Sequence, residues 1–194
     1  MITTTTFDKN KRTPKMNNTK MNDIINDTDD INAIKKKARI MTCLDKERVQ
    51  QAMEIIGYDL SETDWLWEAL QAPGSVVKQI GDRLLLEGNR SLAAHGTKVI
   101  DLSISAMAVR SGMVAGQIND LAQKINNKRF LAAICDKAGL TDCINQNLSQ
   151  KNGVPERVKA NTVEAVIAAV LLDGGHGAAL KVMLHLGVLP VLSA

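Results

Sequence analysis

VKANTVEAVIAAVLLDGGHG, residues 158–177, sets Glu164 at the head of the most apolar run in the chain, Ala165 to Leu172. An uninterrupted apolar run that is apolar all round predicts a buried helix. Asp173-Gly174-Gly175 supplies its stop, because glycine reaches left-handed backbone geometry at little cost. The run is shorter than the roughly 20 residues that span a bilayer, so a core helix is expected and no membrane contact. A carboxylate at the start of such a helix is costly to bury unless it is paired, metal-bound or at the edge of a cleft. Asn161 lies one turn earlier on the same face, and the two together mark a candidate site.

Working outward, 194 residues with 45% hydrophobic content suffice for one domain with a sizeable core and a tail. The net charge of +3 permits a polyanionic partner without requiring one. Cys43, Cys135 and Cys143 form no CxxC spacing, which argues against a disulfide framework and a zinc site and for a reduced intracellular compartment. Aromatic residues make up 3% of the chain, too few for a platform that stacks unpaired bases. The segment 1–43, rich in Thr, Asn, Asp and Lys, is expected to be a disordered basic and polar tail. Its Thr-rich, basic start has some features of an organelle transit peptide, so cytoplasm or nucleus is favoured and the mitochondrion stays open.

From 44 to 194 the pattern predicts a single all-α domain, with no period-two alternation. Asp45 is the expected cap of a first helix that carries Val49, Met53 and Ile56 and stops at Gly57. A second runs from Trp65 to Ala72, both tryptophans being read as core anchors. Ser75 to Glu87 is a connector. Leu92 to Val109, Ile118 to Ile125 and Lys128 to Ala138 are further helices, 145–157 is a loop, and Ala178 to Leu186 is a last short helix.

The order of these segments resembles the ribonuclease III family. Ala69-Leu70-Gln71-Ala72-Pro73 is similar to the family's Ala-Leu-Thr-His-Pro phrase. Asn89-Arg90-Ser91-Leu92-Ala93-Ala94-His95-Gly96-Thr97 stands where the signature Asn-Glu-Arg-Leu-Glu-Phe-Leu-Gly-Asp belongs. Ile125-Asn126-Asn127, Ala160-Asn161-Thr162-Val163-Glu164-Ala165 and Leu172-Asp173-Gly174-Gly175 complete the likeness. It implies a ribonuclease III-type helical domain that dimerises and cuts double-stranded RNA with Mg²⁺ held by carboxylates. The positions that are carboxylates in the family are Arg90, Ala93, Thr97 and Asn161 here, and Glu164 alone matches.

Mg²⁺ wants several anionic oxygen ligands, so the departures imply weak metal affinity and a fold kept for other work. Asp101, one turn beyond Thr97, is the acid best placed to rebuild a metal site, with Glu87 and Asp82 less so. His95 and His176 are the candidate bases of a metal-free route. Arg90 and Lys98 would give phosphates a contact independent of metal, or Arg90 would pair with Glu164. Two classes of function remain. One is a cleavage-incompetent dimeric scaffold for structured RNA or a ribonucleoprotein, built as a homodimer or with a paralogue and needing no cofactor. The other is an active Mg²⁺-dependent endonuclease with a rebuilt site. No separate double-stranded RNA-binding domain is expected.

Overall fold

The computed structural model describes residues 41–146 and 153–190. The expected tail up to residue 40 and the middle of the 145–157 loop lie outside the described residues, while Cys43, placed at the end of that tail, already opens the first helix.

Six helices and one short hairpin make up the described part: α1 (Cys43–Ile56), α2 (Thr63–Ala69), β1 (Gln79–Ile80), β2 (Arg83–Leu84), α3 (Arg90–Arg110), α4 (Ala115–Ile125), α5 (Lys128–Ala138) and α6 (Glu156–His185). A 3-10 turn, Leu140–Cys143, follows α5. The expectation of an all-α domain holds apart from the hairpin. Its antiparallel strands have two residues each, too short to show alternation in the sequence.

Local chemistry accounts for most boundaries. The cap of α1 is Thr42 rather than Asp45: the Asp45 carboxylate accepts from the Thr42 N–H at 3.0 Å, and the Thr42 hydroxyl oxygen accepts from the Asp45 N–H at 3.2 Å. Asp45 is thus the third residue of a capping box. The second helix ends at Ala69, earlier than expected, because Leu70, Gln71 and Ala72 turn to pair with other segments. Asn145 donates its N–H to the Leu70 carbonyl, and Asn89 donates its own to that of Gln71.

α6 is the axis of the core. Residues 160 to 170 are all buried, with α2, α3 and α5 packed around them. By length and composition the helix is long and apolar enough to cross a membrane, its most apolar 18-residue window having a mean hydropathy of 1.5, yet half of that window is buried inside the fold and the helix is bent at Gly175. Gly175, at φ 75° and ψ −178°, divides it where a stop was expected, in a region of backbone space reserved for glycine.

Just before that break, Asp173 ties two parts of the fold together. Its carboxylate accepts from the Glu62 and Ser61 N–H groups at 2.8 and 3.1 Å and from the Tyr58 hydroxyl at 2.9 Å. Desolvation alone would raise its pKa, but the two N–H groups and the hydroxyl hold it below the usual carboxylate range. A lowered folded-state pKa means that the stabilisation is complete above the unfolded value of about 3.9 and is lost as pH falls through the folded value. Asp173→Asn should therefore cost about 1–3 kcal/mol at neutral pH. It should also flatten the fall of the urea midpoint below about pH 4. Equal acid slopes in both proteins would mean that Asp173 is not the strut described.

Candidate functional site

The crossing of α3 and α6 brings Glu164 against the first turns of α3. Gly96 makes this possible: a Cβ there would sit 1.8 Å from the Glu164 carbonyl oxygen. With the backbones this close, Ala93 and Thr97 on α3 and Asn161 and Glu164 on α6 share one face, and Glu164 is only 1% exposed. Asn161 is buried at 8% and Ala93 at 4%.

The Thr97 hydroxyl lies 3.0 Å from the Ala93 carbonyl and 3.1 Å from Glu164 Oε1, so its single proton serves two acceptors. The main partner of Glu164 comes from elsewhere. Lys128, the first residue of α5, places Nζ 2.7 Å from Oε1 and 2.6 Å from Oε2. Asn127 sets that position, since its side chain caps α5 by accepting from the N–H groups of Arg129 and Phe130. A cation in the first turn of a helix stands at the unfavourable end of the helix dipole. The Glu164 carboxylate offsets this.

Arg90 does not reach Glu164. Its guanidinium lies 3.9 Å from Glu87 and stays half exposed, so the expected Arg90–Glu164 pair is corrected to Lys128–Glu164. Lys98 is exposed and 3.9 Å from Asp101. Asp101 is engaged by the Asn126 amide. Asp101 and Glu87, the acids proposed as replacement ligands, thus each face a base or an amide. His176 stands beyond the Gly175 bend, on the second limb of α6.

Does this donor set fit Mg²⁺? Among the described residues no group of three His, Cys, Asp or Glu side chains converges on a point. Glu164 offers the one carboxylate at the centre, and an ammonium already bridges both of its oxygens. A dehydration-averse dication held by several anionic oxygens does not match a site of one acid, one amide, one hydroxyl and a lysine. Lys128 supplies one positive charge where such an ion would supply two.

Asn89, read from the sequence only as the first residue of the signature phrase, has a structural role as well. It is fully buried, and its amide donates to the Ala69 carbonyl at 2.8 Å and to the Thr162 hydroxyl at 3.3 Å. The start of the signature phrase is therefore a clamp that joins the end of α2 to α6, one turn from the Glu164 site.

Residues 90–175 match the family model described as the Ribonuclease III domain. Ribonuclease 3 of Rhodopirellula baltica is 24% identical over 132 residues, covering 66% of this chain and 47% of that protein. Ribonuclease 3 of Rhizobium leguminosarum bv. trifolii is 27% identical over 155 residues, covering 77% and 61%. The chain thus spans about half to three fifths of the length of these curated relatives. The nuclease domain of ribonuclease III from Campylobacter jejuni superimposes with a TM-score of 0.61 at 20% identity, over 71% of this chain and 94% of that one. In that protein structural flexibility is described in a region involved in dimer formation. A second structure of the same domain gives 0.61 over 74% and 97%. At this identity the likeness is one of fold.

Proposed function

We propose that this chain, which belongs to the ribonuclease III family, serves RNA processing without cutting: it holds duplex or structured RNA, or a ribonucleoprotein, as a dimeric scaffold. The observation that carries this reading is the Lys128 ammonium bridging both Glu164 oxygens at 2.6–2.7 Å. A metal-dependent hydrolase needs that carboxylate for its cation and for the water the cation activates. In this chain the carboxylate is committed to neutralising a lysine. Ala93, Thr97 and Asn161 add no negative charge. Arg90 and Lys98, exposed on the first turns of α3, remain the side chains assigned to phosphates. The second half of the dimer is another copy or a paralogue. A reduced intracellular compartment belongs to the same reading, which rests on three cysteines without CxxC spacing.

The test is cleavage of a long labelled RNA duplex with Mg²⁺ or Mn²⁺, run beside Glu164→Ala to control for contaminating nuclease. The expected result is no metal-dependent cutting by either protein, with duplex binding that weakens steeply with salt and survives chelation. Sedimentation of the same preparation at micromolar concentration should return a dimer. Cutting that disappears in the variant would establish an active enzyme with a rebuilt site. Absence of duplex binding would make a protein the real ligand.

A further inference from the structure

A groove of about 480 Å³ runs between the second half of α3 and the limb of α6 that follows Gly175. Ser103, Met107 and Arg110 line it from α3, and His176, Leu180 and Leu184 line it from α6. Each set recurs at three- or four-residue intervals, so each helix contributes one continuous stripe. Two helical stripes with apolar residues between them form a half-open groove, and a helix laid between them would meet both stripes.

The charge along this groove is one-sided. Among the described residues no carboxylate lines it, while Arg110 and His176 do, and neither of these has an ion pair or hydrogen bond there. Leu184 stays 39% exposed. We propose that this groove docks an amphipathic helix of a partner protein, apolar face inward, whose acidic residues meet Arg110 and His176. RNA phosphates would satisfy Arg110 but would leave Met107, Leu180 and Leu184 without apolar contact. The inference goes beyond the RNA-scaffold reading and does not depend on it.

The experiment uses fluorescein-labelled helical peptides of about 18 residues that share one leucine stripe and carry either glutamates or lysines beside it. Anisotropy is read against the full chain, Arg110→Glu and Leu184→Asp. Both side chains are exposed, so circular dichroism should show unchanged folding. The glutamate peptide should bind at least about tenfold more tightly than the lysine peptide. Arg110→Glu should reverse that order, and Leu184→Asp should weaken both. Equal affinities for the two peptides, or no effect of Arg110→Glu, would overturn the proposal. A dimer that Leu184→Asp dissociates would give the groove to a second copy instead. Displacement of the glutamate peptide by an RNA duplex, with the same dependence on Arg110, would give it to RNA.

Discussion

Gly96→Ala is expected to abolish the folded domain or to destabilise it by more than about 4 kcal/mol, the range reserved for severe steric or core defects. The added Cβ would lie 1.8 Å from the Glu164 carbonyl oxygen, 2.5 Å from its carbon and 3.1 Å from its Cα. Non-bonded heavy atoms attract best at roughly 3.5–4.0 Å. The obstacle is backbone on both sides, so no side-chain rotation relieves it, and the two helices must separate. α3 and α6 form the most extensive helix pair of the fold, and their separation would open the core around Ile100, Val163 and Ile167. A domain of this size has only about 5–15 kcal/mol to lose. Gly116→Ala is the control, because nothing lies within 4 Å of a Cβ at that position on α4. There the helix should gain about 0.5–1 kcal/mol. Urea unfolding and gel filtration read both variants, and a Gly96→Ala midpoint close to that of the parent would refute the described crossing.

Lys128→Ala should have the next largest effect, a loss of about 2–4 kcal/mol. Removing one partner of a buried ion pair costs about 3–5 kcal/mol, because the other charge is left without compensation. Here the Glu164 side chain is 2% exposed and that of Lys128 47%, so water can enter from the lysine side and the cost falls somewhat below that range. The same asymmetry predicts that Glu164→Gln is milder, about 1 kcal/mol, since a freed Lys128 can swing into solvent while the glutamine keeps the Thr97 contact. The double variant Lys128→Ala/Glu164→Gln should be little worse than Glu164→Gln alone. A double-mutant cycle on urea unfolding should then show coupling close to the whole Lys128→Ala loss, about 2–4 kcal/mol. Additive losses would mean that the ammonium and carboxylate do not hold each other, and the argument against a metal at Glu164 would lose its basis.

The candidate site was legible in part. Glu164, Asn161, Ala93 and Thr97 were placed together from helical spacing and from the family likeness, and the structure does set them on one face. Lys128 was missed although it follows Asn127 directly, because at a helix start a lysine reads as solvated surface. Its partner lies 36 residues away in sequence. A pair between Arg90 and Glu164, the alternative to a phosphate contact, rested on the same kind of counting, and Glu87, three residues before Arg90, was the nearer acid. Trp65 and Trp67 looked equivalent as core anchors. Trp67 is buried, but Trp65 lies partly exposed beneath the Arg83 guanidinium, 3.7 Å from its ring centre, a contact that exists only because the hairpin folds back over α2.

Amino-acid order by itself determined the features whose energies are local. The apolar run 165–172 had to be a helix buried over most of its length, and Gly57, Gly139 and Gly175 had to interrupt or end helices where left-handed or glycine-only backbone was needed. α5 was delimited to the residue by its Asn127 cap and Gly139 stop. Tertiary structure alone decided which charge meets Glu164. Burying Glu164 raises the cost of leaving it unpaired, and the helix that happens to start beside it supplies the cation. Such a pairing is a property of the low-dielectric space between α3, α5 and α6, and no spacing along the chain encodes it.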